Sequence, residues 1–499
     1  MKLKTIKIGF LAVIALVSSC TDLDDTFYDR IPSDAYPEND VQAALMTTPV
    51  YAPMRDFLDW GGWYFAQEVP SDEITVPTRD TDWDDGGKWR VLHTHEWNNN
   101  TPAVVNMWPR FYKGIFEANA LIERTEPALN SSDAGAVSAA KNLIAKMKIM
   151  RAYYYYLLID NYGDVPYVTS FASAPDMPMK TNRADIFDNI VNDIEISIPD
   201  LGNSSTKTGV SKGMAFSLLA KLYLNSEVYT GNPEWASAEA ACDSVIALGQ
   251  YSLEGSPLAP FITENSNSPE NIWVIPYDED TYTGFNIHMR TLHYNSDQTF
   301  DMVAGPWNGW CVMEDFYNSY SDDDARKEAF LVGQQYTSMG AEIVDGTAGS
   351  NLIFTPEIPA LHMDASYTLE QIRMSGVRFV KFEVKSGAKG DLSNDFPIFR
   401  YADILLMKAE AMIRQNKNGD EYVNMIRNRA GLEEWSNTTL EMLLAERGRE
   451  MFSEGHRRQD LIRFGEFNKA WWEKGVTSTD DNVFPIPQNQ IDVNPNLAK

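Results

Sequence analysis

Apolar residues recur three and four positions apart over long stretches of the chain, and this spacing constrains the fold more than any other feature. Residues 101–126 and 139–160 each place their apolar side chains along one helical face. The same spacing predicts helices over residues 183–198, 212–229, 233–249, 401–414, 421–429 and 440–453. Short loops between helices predict antiparallel helix pairs. Repeated pairs are typical of a tetratricopeptide-like scaffold, although the chain shows no fixed repeat length.

The helical spacing breaks up between residues 251 and 399. Turn residues dominate there, and short strand-like runs occur at residues 272–275 and 377–382. Long loops on a rigid scaffold are a common place for binding sites. We therefore predict a mainly α fold, in which a tetratricopeptide-like helical-pair scaffold carries long irregular loop excursions and a few short strands.

The charge of the chain excludes two classes of partner. The 499 residues include 42 Lys and Arg against 71 Asp and Glu, which gives a formal net charge of −29. Nucleic-acid binding and attraction to anionic lipid surfaces both depend on clustered basic residues, so neither class fits this chain. Aromatic residues make up 12% of the chain, with 13 Trp and 23 Tyr. This excess indicates more about a ligand than the negative charge does.

Residues 1–19 have the pattern of a bacterial export signal. Lysines precede an apolar run at residues 8–17, which is shorter than the ~20 residues that a membrane-spanning helix needs. Small residues and Cys20 follow this run. The arrangement predicts a signal peptide over residues 1–19 and lipidation of Cys20, whose acyl chains would hold the mature chain at a membrane. A cleaved signal followed by an unmodified cysteine is the alternative.

Two short sequences resemble catalytic motifs, but the residues around them do not fit those motifs. Residues 209–213 match G-x-S-x-G, but a polar loop precedes them where that motif needs a strand. Ser211 is better interpreted as the N-cap of the following helix. The chain has six His, and His93 and His95 stand too close together for the helical H-E-x-x-H zinc motif. Phosphate-binding glycine motifs are also absent from the sequence. We therefore expect no catalytic residues, no cofactor and no metal ligands.

An acidic segment at residues 80–86 could be a calcium site or a solvated loop. Residues 80–86 begin like a calcium loop, but the sixth and twelfth positions lack the Gly and Glu that an EF-hand needs. A solvated acidic loop is favoured, and a cation bound in another geometry stays open.

Glu446, Glu450 and Glu454 stand four apart and are interleaved with arginines, which predicts a salt-bridged helix face. A glycosidase, which needs two facing carboxylates, is left open by the sequence.

Motifs in both halves of the chain match one known family. In the C-terminal half they are residues 399–411 (FRYADILLMKAEA), 424–432 (NMIRNRAGL), 446–450 (ERGRE), 454–463 (EGHRRQDLIR) and 484–487 (FPIP). In the N-terminal half they are residues 20–24, 108–119, 151–154 (RAYY) and 163–166 (GDVP). This set resembles the SusD/RagB family of Bacteroidota outer-membrane lipoproteins, over nearly the whole mature chain.

The resemblance implies a nutrient-binding protein that is not an enzyme. It implies a lipid-anchored chain in the outer membrane that faces the cell surface, caps a SusC-like TonB-dependent barrel and delivers glycan or sometimes peptide fragments to it. The implied fold has four tetratricopeptide-like helix pairs and an irregular binding face. We expect an N-terminal helical region at residues 20–250 and a C-terminal region with the binding loops at residues 251–499, within one compact unit. Arg447, Arg457 and Asp460 are expected to form buried ion pairs rather than ligand contacts.

The aromatic residues most free to contact a sugar are those in loops, because sugars stack their apolar faces on aromatic rings. In the starch-binding member of the family, ligand aromatics and an Asn come from the N-terminal acidic loop region and the central excursion. By that resemblance and by their loop positions, the expected ligand contacts are Trp83, Trp97, Asn100, Tyr282, Trp307, Trp310, Asp72 and Arg79. Core packing or contact with the barrel partner is the alternative for each aromatic residue.

These inferences combine into one expected function. We expect a cell-surface lipoprotein that captures oligosaccharides and delivers them to a SusC-like TonB-dependent outer-membrane transporter, with no nucleic-acid partner. A surface glycoside hydrolase is one alternative. A peptide-binding or protein-scaffold member of the same fold is the other.

Replacement of Cys20 tests the predicted anchor. We expect Cys20→Ala to move the protein from the membrane fraction to the soluble fraction, because the variant cannot carry the acyl chains. Immunoblots of the two fractions measure this distribution. Cys242→Ala is the matched control and should stay with the membrane. Membrane retention of Cys20→Ala would contradict lipidation.

Overall fold

Helices are the main secondary structure in the computed structural model, which describes residues 40–172 and 174–498. The predicted signal peptide and Cys20 lie outside these residues. In the described part of the chain the helices are α1 (Asp40–Tyr51), α2 (Trp63–Glu68), α3 (Lys88–His93), α4 (Pro102–Thr125), α5 (Ala134–Tyr162), α6 (Arg183–Ser197), α7 (Lys212–Leu224), α8 (Ser226–Thr230), α9 (Trp235–Ala247), α10 (Ile287–Thr291), α11 (Asp297–Phe300), α12 (Glu314–Asn318), α13 (Leu369–Met374), α14 (Tyr401–Arg414), α15 (Asp420–Arg429), α16 (Leu440–Met451), α17 (Arg457–Phe464) and α18 (Gln488–Val493). The predicted mainly α fold is confirmed.

Neighbouring helices pack against each other along the scaffold. α4 lies against α5, α5 against α6, and α7 against α9, while α14 contacts α9, α15 and α16. The side chains of α5 are buried on every side from Ile149 to Tyr162, which makes this helix the centre of the N-terminal half. The tetratricopeptide-like geometry of the pairs and the division near residue 250 stay predictions.

Local sequence signals mark the ends of several helices. The Ser211 hydroxyl accepts a hydrogen bond from the Met214 backbone N–H at 3.2 Å, so Ser211 caps α7 as predicted. Gly163 follows α5 with a φ of 72°, a conformation that favours glycine and ends the helix.

The strands are short and pair two at a time. They are β1 (Ile74–Thr75), β2 (Thr78–Arg79), β3 (Asn271–Ile275), β4 (Cys311–Val312), β5 (Phe330–Leu331), β6 (Gly333–Gln334), β7 (Val344–Asp345), β8 (Ser350–Asn351), β9 (Ile353–Phe354), β10 (His362–Met363), β11 (Arg378–Phe379) and β12 (Phe396–Arg400). The pairs β1–β4, β3–β12, β5–β11, β6–β9 and β7–β8 are antiparallel, and β2–β10 is parallel. β1 and β2 thereby fasten the N-terminal acidic loop region to the central excursion.

A main hydrophobic core connects the two halves of the chain, because its buried residues run from Val50 to Leu497. Cys242 and Cys311 are both buried free thiols, so they do not form a disulfide. Of the helices in residues 40–172 and 174–498, none combines the length and the apolar character needed to cross a bilayer.

A buried network of ion pairs centres on Arg400, at the end of β12. Its guanidinium lies 2.7 Å from carboxylate oxygens of Glu270 and Glu450 and 2.6 Å from Glu454, and all four side chains are almost completely buried. Arg429 also contacts Glu270, at 2.7 Å. Burial alone would raise the pKa of Glu450, but the surrounding guanidinium groups hold it well below its usual value.

A second buried group of ion pairs joins α14, α16 and α17. Arg447 on α16 lies 2.9 Å from Asp403 on α14 and 2.8 Å from Asp460 on α17. Arg463 lies 2.7 Å from both Asp460 and Glu410. The predicted buried pairs of Arg447 and Asp460 are therefore confirmed. Glu446, Glu450 and Glu454 all form ion pairs as predicted, but Glu454 lies beyond the end of α16.

Removal of one carboxylate from the Arg400 network should lower the stability of the protein. We expect Glu450→Gln to lower the free energy of unfolding by about 3–5 kcal/mol, because the remaining buried charges lose a partner. Chemical denaturation followed by circular dichroism measures this change. Glu441→Gln, on an exposed position of the same helix, is the matched control and should cost less than about 1 kcal/mol. Equal stabilities of the two variants would contradict the importance of the network.

Candidate functional site

A tight turn at residues 59–62 borders several clefts on the described surface. Asp59 lines one of these clefts and Trp60 lines two others. The Gly62 backbone N–H donates to the Asp59 carbonyl at 2.8 Å, and Gly61 has a φ of 63°. A Cβ on Gly62 would lie 2.8 Å from the Asp56 carbonyl oxygen, so only glycine fits there. The turn holds Trp60 at the surface, where it is 37% exposed.

Trp60 forms a cluster with three other tryptophans. The centroid of its ring lies 5.7 Å from Trp83, 5.9 Å from Trp89 and 5.5 Å from Trp307. Tilted ring pairs at such distances attract each other beyond the apolar area that they bury. Trp83 and Trp89 are buried, whereas Trp60 and Trp307 keep part of their surface accessible.

Hydrogen bonds fix the buried members of this cluster. Trp83 Nε1 donates to the Trp307 carbonyl at 2.7 Å, and Trp89 Nε1 donates to Asp85 Oδ2 at 2.8 Å. The Trp307 backbone N–H donates to the Met289 carbonyl at 2.7 Å. These bonds join the N-terminal acidic loop, the segment around Trp307 and α10.

The ring of Trp83 lies directly against the backbone of Gly309. A Cβ on Gly309 would come 2.2 Å from Trp83 Cε2, so no larger residue fits without a shift. Trp83 itself has a φ of 58°, in the left-handed region that is unfavourable for a side chain of this size. The packing around Trp83 must therefore hold this conformation.

A buried guanidinium lies behind the cluster. The centre of the Arg290 guanidinium is 4.5 Å from the Phe65 ring centroid and 5.4 Å from that of Trp60. Arg290 also donates a hydrogen bond to the Leu58 carbonyl. Burial lowers the pKa of Arg290 to about 10, so the group stays charged at neutral pH. Arg290 thus ties the Trp60 turn to α10 by a cation–π contact and a hydrogen bond.

A cleft of about 410 Å³, here named the aromatic cleft, opens beside Trp60. It is lined by Trp60, Thr81, Asp82, Trp83, Asp85, Tyr294, Pro306 and Trp307. Asp82 accepts hydrogen bonds from the Tyr294 hydroxyl and, at 3.1 Å, from the Trp83 backbone N–H. Burial, with the Asp82 carboxylate, raises the pKa of Tyr294 to about 12, so its hydroxyl keeps the proton that it donates. The cleft combines accessible ring surface with oxygen acceptors.

The aromatic cleft brings together two of the residues predicted from sequence, Trp83 and Trp307, with three that the proposed function uses and that were not predicted as ligand contacts: Trp60, Asp82 and Tyr294. Tyr294 lies in the central excursion, and this loop position was its available signal. Trp60 precedes two glycines, which is a turn signal that could have marked it as a surface aromatic residue.

Two of the expected ligand residues are core residues instead. Trp310 has no exposed surface; its ring stacks on Tyr64 at 5.5 Å and meets Phe65 edge-on at 4.6 Å. Arg79 is 2% exposed and donates to the Ile372 carbonyl at 2.7 Å. The expectation of direct ligand contact is corrected for Trp310 and Arg79, because burial leaves neither side chain a surface for a ligand.

Two more of the expected residues lie outside the aromatic cleft. Asp72 accepts two hydrogen bonds from Arg457, at 2.6 and 2.8 Å, and this ion pair confirms the structural role expected of Arg457. Tyr282 is 54% exposed, and the Arg55 guanidinium lies 5.0 Å from its ring centroid, beside another cleft.

Trp97 and Asn100 form a separate group near the C-terminal segment. Trp97 is half-buried and packs against Phe484 and His95, each with ring centroids 4.8 Å away. Asn100 is exposed. Neither residue lines the aromatic cleft. Ligand contact by Trp97 and Asn100 stays a prediction.

Carboxylates of Asp82, Asp84 and Asp85 in the acidic loop accept hydrogen bonds from protein groups. Asp84 Oδ1 accepts from Arg90 at 2.7 Å, and Asp84 Oδ2 accepts from the Gly86 backbone N–H at 3.3 Å. Within the described ranges, no group of three or more His, Cys, Asp or Glu side chains is placed to hold a metal ion.

Comparison with protein families covers both halves of the chain. A family model described as the SusD family matches residues 362–499. A second model, described as starch-binding associating with outer membrane, matches residues 66–224. Together these matches span more than half of the chain. The chain belongs to the SusD family.

Curated SusD proteins resemble the chain over most of its length. Starch-binding protein SusD of Bacteroides thetaiotaomicron is 25% identical over 476 residues, which cover 87% of this chain and 83% of that protein. SusD-like protein P25 of Formosa agariphila is 24% identical over 424 residues, which cover 80% of this chain and 78% of that protein.

Solved SusD structures share the fold. A SusD superfamily protein from Parabacteroides distasonis has a TM-score of 0.74 at 21% identity, over 91% of this chain and 98% of that chain. Surface glycan-binding protein A from Bacteroides thetaiotaomicron, in complex with laminarihexaose, has a TM-score of 0.70 at 20% identity, over 91% and 97% of the two chains. At these identities the likeness establishes the helical SusD fold.

A methyl group at Gly309 should disturb the tryptophan cluster. We expect Gly309→Ala to lower the free energy of unfolding by about 1–3 kcal/mol and to change the near-UV circular dichroism, because the new Cβ displaces Trp83. Gly305→Ala is the control in the same segment, since a Cβ there meets nothing within 4 Å. A Gly309→Ala spectrum and stability equal to those of Gly305→Ala would contradict the described contact.

Proposed function

We propose that this chain binds oligosaccharides in the aromatic cleft and delivers them, as a cell-surface lipoprotein, to an outer-membrane transporter. The observation that carries the proposal is the union of the accessible Trp60 and Trp307 rings with the Asp82 carboxylate in one cleft. A sugar presents apolar ring faces and rows of hydroxyl groups, and the cleft complements both features.

The acidic side chains of the cleft can accept hydrogen bonds from the hydroxyl groups of a sugar. An ionised carboxylate offers about four lone-pair sites. Asp82 uses its oxygens for the Tyr294 hydroxyl and the Trp83 backbone N–H, so acceptor sites remain for a ligand. The indole N–H groups of Trp83 and Trp89 are already bonded within the protein. Recognition in this cleft therefore combines stacking with acceptance of hydrogen bonds.

The names of similar proteins support a glycan as the ligand. Among the relatives are a starch-binding protein, a laminarin-binding SusD-like protein and a surface glycan-binding protein in complex with laminarihexaose. The description of the second family model supports association with the outer membrane.

The anchor and the partner are the finer parts of the proposal. The pattern around Cys20 supports a lipid anchor that keeps the folded chain at the cell surface. The family resemblance supports a SusC-like TonB-dependent barrel as the partner that receives the oligosaccharide. In this scheme the protein captures its ligand without cleaving it.

Loss of one accessible ring should weaken binding without unfolding the protein. For the polysaccharide selected from a glycan panel, we expect Trp60→Ala and Trp307→Ala each to weaken binding by about tenfold or more, a loss of about 1.4 kcal/mol, because the stacking surface is removed. Isothermal titration calorimetry measures the affinities. Phe116→Ala is the matched control, since it removes a 55% exposed ring outside the cleft and should bind like the parent protein.

The same incubations separate binding from hydrolysis. A binding protein leaves the polysaccharide intact, whereas a glycoside hydrolase releases reducing ends. Release of reducing ends by the parent protein, with loss of that activity in Asp82→Asn, would replace the binding function by the glycosidase alternative. A lack of binding to every glycan, or unchanged affinity in both tryptophan variants, would overturn the proposed site.

A further inference from the structure

A second cleft, of about 430 Å³ and here named the polar cleft, borders the same turn as the aromatic cleft. It is lined by Ala52, Arg55, Asp56, Asp59, Thr283, Gly284 and Asn286. Asp59 lines the polar cleft and Trp60 lines the aromatic cleft, so the two clefts meet at consecutive residues. Consecutive Cα atoms lie about 3.8 Å apart, which places the clefts within the reach of one extended ligand.

The guanidinium of Arg55 has no ion-pair partner among the described residues, although two aspartates line the same cleft. Arg110 engages both of these aspartates, at 3.6 Å from Asp56 and 2.6 Å from Asp59. Arg55 Nε is shielded from solvent and has no hydrogen-bond partner in the described part of the chain. A donor without a hydrogen-bond partner is energetically unfavourable. The polar cleft thus holds a guanidinium that forms no ion pair in the described part of the chain, and its terminal nitrogens are the donors that a ligand would use.

Two neighbouring side chains complete the chemistry of the polar cleft. Asn286 lines the cleft, and its Oδ1 lacks a hydrogen-bond partner in the residues described, so this side chain has an unused acceptor beside the ligand position. Tyr282 is 54% exposed, and Arg55 lies against its ring. A donor fork, an amide acceptor and an exposed ring match adjacent sugar hydroxyls and an apolar sugar face.

We propose that one oligosaccharide crosses the turn at residues 59–62 and occupies both clefts. One segment of the chain stacks on Trp60 and Trp307 in the aromatic cleft. The next segment donates and accepts hydrogen bonds at Arg55 and Asn286 and packs on Tyr282. This inference rests on the proposed function and deepens it: the preferred ligand is a chain long enough to reach the polar cleft, and a short oligosaccharide binds only in the aromatic cleft.

Chain-length dependence tests this inference. The probes are maltooligosaccharides and laminarioligosaccharides from disaccharide to heptasaccharide, titrated by calorimetry into the full folded chain. We expect Arg55→Gln and Tyr282→Ala each to weaken binding of the longest probes about fivefold or more and to leave binding of the shortest probes unchanged. Trp60→Ala should weaken binding at every length, because every probe uses the aromatic cleft.

Matched controls separate the polar cleft from general effects of charge or ring loss. Arg124→Gln removes an exposed arginine on α4, and Tyr336→Ala removes a ring that is 47% exposed in the central excursion. Both controls should bind all probes like the parent protein. Melting temperatures show whether Arg55→Gln is folded, and Tyr282→Ala provides an independent test at the same cleft.

The outcomes distinguish failure of this inference from failure of the proposed function. If Arg55→Gln and Tyr282→Ala bind long probes like the parent protein while Trp60→Ala binds them weakly, the second segment is overturned and the aromatic cleft stands. If the parent protein binds no probe in either series and no glycan in the panel, both proposals are overturned. A loss in Arg55→Gln that is equal at all lengths would also contradict the second segment.

Discussion

The buried ion pairs around Arg400 are the interaction on which the rest of the structure depends. Arg400 contacts Glu454 at 2.6 Å, and the next residue, Gly455, donates its backbone N–H to Glu68 at 2.5 Å. Glu68 ends α2, the helix that begins directly after the turn at residues 59–62. Burial raises the pKa of Glu68 to about 8. The network therefore connects the C-terminal helices to the turn that carries Trp60.

Aromatic residues serve two different purposes in this protein. Most are core residues, such as Trp310 against Tyr64 or the tyrosines on the buried part of α5. Trp60 and Trp307 keep accessible surface, and Trp60 does so because a glycine turn holds it at the surface while Arg290 contacts it from behind. The rigid support matters for binding, since a preorganised ring loses little conformational entropy when a ligand stacks on it.

Sequence patterns predicted the helices well and the site only in part. The ends of α14 were predicted to the residue, because apolar periodicity is a local property of the chain. Trp83 and Trp307 were predicted as site residues because they lie in loops. The same rule failed for Trp310, whose loop position says nothing about the Tyr64 ring that covers it. The two glycines after Trp60 could have marked a turn, but its place in the cleft depends on distant packing partners.

The sequence by itself determined the mainly α fold and the SusD/RagB resemblance, because these depend on local periodicity and short motifs. Only the tertiary structure decided which aromatic residues reach the surface and meet in one cleft. The Trp83 indole bonds to the Trp307 carbonyl across 224 positions of sequence. Contacts of that range depend on how the whole chain closes its core, and no local pattern encodes them.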